Sequence, residues 1–287
     1  MKHIWNKDCK SFPGGYACDI MKAENYIDCD KCKFYEPYSK KILIIKLGAS
    51  GDVIRATTLL SALREKHGRH ILIKWLVSEY NSELLMGNEF IDKISIYNQD
   101  SLLKLNNEEF DILINLDADE PSTAIANLVK AKKKYGFYMD KYGHPAAFNK
   151  EAEYFLEMQF SDVLKKKNKK STQELFFDIA CLPYKKQKYI LNFSDESKKY
   201  ADEFRKRHKL DKKVIGLNMA SGKRWPAKRP SARVIISLAK KLQKKGYKIL
   251  LLGGPEEKKF YEFLKGKFQE NGVKFTVNNL DNSIKEF

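Results

Sequence analysis

The stretch KLGASGDVIRATT, residues 46–58, comes directly after the apolar run ILII and sets two glycines, a serine and an aspartate where a strand hands over to a helix. A glycine turn at a helix start usually holds an anionic group, because the free backbone N–H groups of the first turn point at it. Asp52 is itself an anion and would repel a phosphate. A carboxylate there is better suited to take a proton from a hydroxyl.

A second set lies in the other half of the chain. MASGKRWPAKRPS ends a strand and crowds Lys223, Arg224, Lys228 and Arg229 around a turn made by Ser221 and Gly222. A diphosphate set against this loop gains backbone N–H donors, a hydroxyl and cationic side chains; the same residues also read as a solvated basic loop. LLGGPEE closes the next strand, where Gly253 and Gly254 permit close approach of a ligand and Glu256 or Glu257 can accept from ribose hydroxyls. Facing each other across a cleft, the two halves would divide a group transfer. The cationic side would hold a nucleotide leaving group, and Asp52 would deprotonate an acceptor hydroxyl as general base.

The cysteines form a third set. Cys9, Cys18, Cys29 and Cys32 fall in the first 32 residues, and the closing C-x-x-C suggests a thiolate site for zinc or an iron–sulfur cluster. The segment carries little apolar surface, so a metal would be its main source of order. Free or opportunistically paired thiols are the alternative. Cys181, in the apolar stretch FFDIACL, reads as a packed core residue.

The elements that must position these residues alternate. KILIIKLG, ILIKWLVS, KISIYN and FDILINLDA read as strands, and DVIRATTLLSALREKHG reads as a single helix with a glycine stop. Strands separated by helices imply right-handed crossovers and a mostly parallel sheet, with its ligand beyond the carboxyl ends of the strands. Between about 135 and 195 the pattern loosens into the aromatic, turn-rich GFYMDKYGHPAAFNKEAEYF and an amphipathic STQELFFDIACL. A helix capped by Ser194 or Asp195 then leads into a second series: VIGLNMAS, SARVIISLAKKLQKKG, YKILLLGG, EEKKFYEFLKGKFQENG and KFTVNN. The expected division is a cysteine-rich extension over 1–40, a Rossmann-like domain over 41–193 and a second, truncated one over 194–287, in which Ser283 caps a helix whose body is missing.

Composition bounds the partners. The 287 residues are 43% hydrophobic and 12% aromatic, with no low-complexity run. No stretch approaches the ~20 apolar residues of a membrane span, and MKHIWNKDCK lacks the apolar core of a signal peptide, which points to a cytoplasmic protein. A net charge of +17, from 54 Lys and Arg against 37 Asp and Glu, fits phosphorylated substrates, an anionic membrane face or nucleic acid. The runs KKK at 132–134 and KKKNKK at 165–170 lack interleaved aromatics, so nucleic acid is not the expected partner.

Taken in order, ILIIKLGASGDVIRATTLLSALR, VSEYNSELLMGNEFIDKI, IGLNMASGKRWPAKRPS and ILLLGGPEE resemble glycosyltransferase family 9, the heptosyltransferases of lipopolysaccharide core assembly, from about residue 41 onward. The resemblance implies a two-domain GT-B fold, an inverting transfer of heptose from ADP-heptose, and no catalytic metal. It also implies a lipid-linked or lipopolysaccharide core acceptor and peripheral contact with the inner membrane face. By this resemblance Asp52 matches the proposed base, and Gly48, Ser50 and Gly51 match the turn beside acceptor and donor sugar. Ser221 and Gly222 match the small residues near the donor phosphates, Lys228 the phosphate-binding lysine, and Glu256 the ribose-contacting acid. The four-cysteine start resembles an extension on some members.

The chain departs from the pattern at Leu59, where the family has proline, and at KRPS, where it has K-R-W-P. The family's acidic-Ser-Gly segment with its following histidine does not occur before Phe287. A non-catalytic or degenerate Rossmann-like ligand-binding protein with a metal-binding cysteine module is therefore the competing reading. A dinucleotide-dependent oxidoreductase fits poorly, because the first turn is G-x-x-G-D and Glu79 lies past a serine rather than ending the second strand.

Overall fold

The computed structural model describes residues 4–211, 213–219 and 229–281. The chain divides into two compact units, residues 1–192 and 193–287.

In the first unit a short helix α1 (Asp19–Glu24) precedes β1 (Lys40–Ile45), α2 (Ser50–Ala56), α3 (Thr58–His67), β2 (Ile71–Val77), α4 (Glu79–Ser82), β3 (Lys93–Ile96), α5 (Gln99–Asn107) and β4 (Glu109–Asn115). There follow α6 (Glu120–Leu128), β5 (Lys130–Met139), β6 (Pro145–Ala147), α7 (Lys150–Phe160), α8 (Asp162–Lys167) and α9 (Thr172–Ile179). The strands form one sheet in the order β3-β2-β1-β4-β5-β6, parallel except for the β5–β6 pair. Because side chains alternate across a strand, the unbroken apolar run of β1 feeds two cores. Ile42 and Ile44 pack with Val53, Leu60, Trp75 and Phe177 on one face, while Leu43 and Ile45 pack with Leu105, Leu113 and Ile125 on the other. Each such side chain, buried completely, contributes about 1.5–3 kcal/mol, which is why the centre of the sheet is the fixed part of this unit.

Two sequence expectations change here. The expected single helix after β1 is two, α2 and α3, broken at Thr57. The Thr57 and Thr58 hydroxyls donate back to the carbonyls of Ile54 and Arg55, both at 2.7 Å, and Thr57 Oγ1 accepts the Ile190 N–H at 3.0 Å, which competes with a continuous ladder. The expected strands also lacked β5, whose first half holds the lysine run 132–134.

Gly136 makes β5 possible beside β4. It sits opposite Asn115 with φ of 91°, and a Cβ there would fall 1.7 Å from the Asn115 carbonyl oxygen. Gly136→Ala should therefore cost roughly 3 kcal/mol or more, from left-handed strain plus a backbone clash, read as a lowered urea midpoint. An unchanged midpoint would show that the backbone yields there.

The second unit runs α10 (Asp195–Arg207), β7 (Val214–Asn218), α11 (Ala232–Lys244), β8 (Lys248–Leu252), α12 (Lys258–Glu270) and β9 (Thr276–Val277). Ser194 caps α10 by accepting the Ser197 N–H at 3.0 Å. Among the described residues its sheet is the parallel trio β7-β8-β9. Ile249 and Leu251 of β8 meet Ile235 and Ala239 of α11 and Leu264 and Phe268 of α12, each pair at the i, i+4 spacing of one helix face.

Candidate active site

In the first unit the carboxyl ends of β1, β2 and β4 are tied together by buried polar groups. Lys46, just past β1, carries a buried ammonium that donates to Asp117 Oδ1 and to the Gly48 carbonyl, both contacts short. Asp117, just past β4, also accepts the Leu47 N–H at 2.6 Å. Its backbone N–H donates to Asn115 Oδ1 at 3.1 Å, and the Asn115 amide donates in turn to the Ser122 and Phe137 carbonyls. Burial is the largest influence on the Asp117 carboxyl and pushes it up, while the Lys46 ammonium and the Leu47 N–H pull the other way.

From the β2 side, buried Asn81 of α4 grips the same turn. Its amide donates to the Leu47 carbonyl at 2.9 Å, and its oxygen accepts the Ser50 hydroxyl at 2.6 Å. Gly48 permits this approach, since a Cβ there would lie 3.4 Å from Asn81 Nδ2. The Gly48–Ala49 peptide is cis. Residues 47–50 are thus bound from two neighbouring strands before α2 begins.

Asp52 stands in the first turn of α2, its side chain 38% exposed. One carboxylate oxygen accepts from Arg55 Nη1 at 2.6 Å, one turn further along the helix. A half-exposed carboxylate at the carboxyl end of a central strand, on a turn held by buried contacts, can take a proton from a hydroxyl brought to it. Gly48, Ser50, Gly51 and Asp52 therefore lie together, and the structure adds Lys46, Asn81, Asn115, Asp117 and Arg55.

The second unit gathers part of its expected set. Gly253 is locked to Asn278, its N–H donating to Asn278 Oδ1 and its carbonyl accepting from Nδ2, both at 2.9 Å. Glu257, 4% exposed, accepts the Gly254 N–H at 3.1 Å and lies 3.6 Å from Arg229 Nη2. Arg229 also stacks over the Phe260 ring at 5.3 Å. Of the two acids after the glycines, Glu257 is built into the turn and Glu256 is exposed. Ser221, Gly222 and Lys228, together with Lys223, Arg224 and Ser283, lie outside the described residues.

Cys9, Cys18, Cys29 and Cys32 are not gathered into one ligand group here. Among the described residues no group of three or more His, Cys, Asp or Glu side chains could hold a metal ion. Cys9 is buried in a bridge to Pro37, Cys18 Sγ caps α1 by accepting the Met21 N–H at 3.4 Å, and Cys29 and Cys32 share a turn through a 3.2 Å backbone hydrogen bond. The segment is docked on the first unit: Lys10 donates to the Arg69 carbonyl at 3.1 Å, and Lys93 to the Phe12 carbonyl at 2.8 Å. Cys181 is likewise no core residue. It follows α9 with φ of 49° and is exposed, its thiol 3.8 Å from Glu151. Partial desolvation of the sulfur and the Glu151 charge push that thiol's pKa up.

Among the described residues no helix is long and apolar enough to cross a membrane. The model of glycosyltransferase family 9 (heptosyltransferase) matches residues 102–275, a span that begins downstream of the Asp52 turn. In fold the chain is similar to the glycosyl transferase family 9 structure from Veillonella parvula, with a TM-score of 0.65 and 21% identity over 88% of this chain and 73% of that one. It is also similar to E. coli ADP-heptose lps heptosyltransferase II, at 0.56 and 15% over 86% and 74%. E. coli heptosyltransferase WaaC with ADP gives 0.53 and 15% over 85% and 76%. No curated protein matches the sequence.

Proposed function

We propose, for a chain that belongs to glycosyltransferase family 9 and has the α/β fold of its GT-B-type members, that it is an inverting transferase with Asp52 as general base. The donor is an ADP-sugar, heptose or a related sugar, and the acceptor a hydroxyl of a lipopolysaccharide core or similar saccharide reached at the inner membrane face. As the acceptor oxygen bonds to the anomeric carbon, its proton passes to Asp52. The bond from that carbon to the diphosphate oxygen breaks, and the nucleoside diphosphate leaves with the electron pair.

The observation that carries this reading is the Asp52 carboxylate, half-exposed beyond β1 on a turn held by Lys46, Asn81 and Asp117. Two of the solved neighbours support the donor class by name, one an ADP-heptose transferase and one holding ADP. The test is incubation with ADP-heptose and a lipopolysaccharide core acceptor. Acceptor-dependent release of ADP with a glycosylated product supports the reading, and absence of turnover with every nucleotide sugar and saccharide offered counts against it.

On the donor side Lys228 is proposed to hold the diphosphate, with Ser221, Gly222, Gly253, Gly254 and Glu256 around the nucleotide. Losing a charge-assisted hydrogen bond should weaken ADP binding by Lys228→Ala roughly 10- to 100-fold in calorimetry. Unchanged affinity would move the phosphate elsewhere.

A further inference from the structure

The amino-terminal ends of the first unit's strands carry a feature that glycosyl transfer at the carboxyl ends does not use. A cavity of about 290 Å³ opens there, with Lys40, Lys66, Lys132 and Lys133 around His67 and one acid, Asp111. Its floor is apolar, made by Leu63, Ile112 and Ala180. Lys40 opens β1, whereas the Asp52 turn follows that strand's far end, and six residues at ~3.3 Å each put roughly 20 Å between them.

The charges in the cavity are compensated only in part, by one carboxylate. Both Asp111 oxygens are engaged, one by Lys132 at 2.7 Å and the other by the Lys41 backbone N–H at 2.9 Å. Lys66 donates to the Cys181 carbonyl at 2.9 Å, and Lys40 Nζ lies 3.4 Å from His67 Nδ1. Among the described residues Lys40, Lys66 and Lys133 meet no carboxylate within 4 Å. Burial lowers the His67 pKa first, and Lys40, Lys66 and Lys133 lower it further, as expected if three ammonium groups converge on one imidazole. Such a group of like charges is stabilised by an anion, and the apolar floor suits an organic body attached to it.

We propose that this cavity binds a phosphomonoester, with Lys40, Lys66 and Lys133 on the phosphate and the organic part against Leu63, Ile112 and Ala180. The ligand's phosphate has two sources, a soluble phosphorylated metabolite or a phosphatidate headgroup. Binding raises the His67 pKa, because a dianion beside the ring offsets the lysines. The groups facing the ring are Lys40 from β1, Lys66 beside it on α3 and Lys133 from β5, with Asp111, Lys132 and Tyr135 completing the polar lining.

The test titrates phenyl phosphate into the full chain while the His67 ring is followed by NMR, in the wild type, in Lys40→Gln/Lys133→Gln and in Lys133→Arg. A saturable His67 shift with a raised titration midpoint is expected, weakened roughly tenfold or more in the double variant and kept in Lys133→Arg. No saturable shift up to millimolar phenyl phosphate, or equal affinity in the double variant, overturns the site. Co-sedimentation with phosphatidylcholine vesicles containing phosphatidate then separates the sources. Pelleting that the double variant loses assigns the headgroup, and phenyl phosphate binding without pelleting assigns a soluble ligand.

Discussion

Asp52→Asn should bind nucleoside diphosphate as tightly as the parent and yet transfer sugar 100- to 10,000-fold more slowly, the range that a positioned general base supplies. The side chains are nearly isosteric, and an amide oxygen can still accept from Arg55, which now lies 2.6 Å from the carboxylate. Only the proton acceptor is removed. Calorimetry with ADP and an assay of sugar transfer read the two halves of the prediction. Turnover near the parent's would remove Asp52 from the mechanism, and a large loss of ADP affinity would make it a binding residue.

The second large effect is on stability. Asp117→Ala leaves the Lys46 ammonium buried with the Gly48 carbonyl as its remaining acceptor and strips the Leu47 N–H of its partner. Breaking one side of a buried ion pair costs about 3–5 kcal/mol, whereas replacing both sides by apolar groups of similar volume is close to neutral. Asp117→Ala should therefore lower the urea midpoint sharply, and Lys46→Met combined with Asp117→Leu should restore most of the loss. A single-variant cost below about 1 kcal/mol would mean that water already reaches the pair. The doubly apolar chain separates fold from function: it should be folded, but its turn 47–50 has lost the tether from β4.

Much of this was legible in the chain. The apolar runs at 42–45, 71–77 and 110–114 became central strands, because a run buried on both faces can be little else at that length. β5 was hidden, since its first half faces solvent and reads as a charge run until GFYM enters the core. The Thr57 break was hidden for another reason: both threonines fit a helical pattern, and the partner that helps to end it, Ile190, is 133 positions away.

At the site, Asp52 and its glycines could be read from local order alone. Lys46 and Asp117 could not be paired that way, because 71 residues separate them and only the β1–β4 register brings them together. The available signal was a lysine and an aspartate each set just after a largely apolar run. Asn81 and Asn278 gave still less, since an asparagine after a strand reads as turn chemistry. The cysteines carry a role that spacing did not show, since Cys18 caps a helix.

The order of the first unit's sheet also bears on how copies of the chain behave in a crowded solution. An open sheet ends in two strands with unpaired backbone groups, each a template for polymerisation with another copy. Here the ends are β3, four residues long and starting with Lys93, and β6, three residues long and starting with Pro145, which has no N–H to donate. The long, sticky strands are all interior. The molecule can therefore carry a highly apolar sheet centre without offering it as a seed for fibrils.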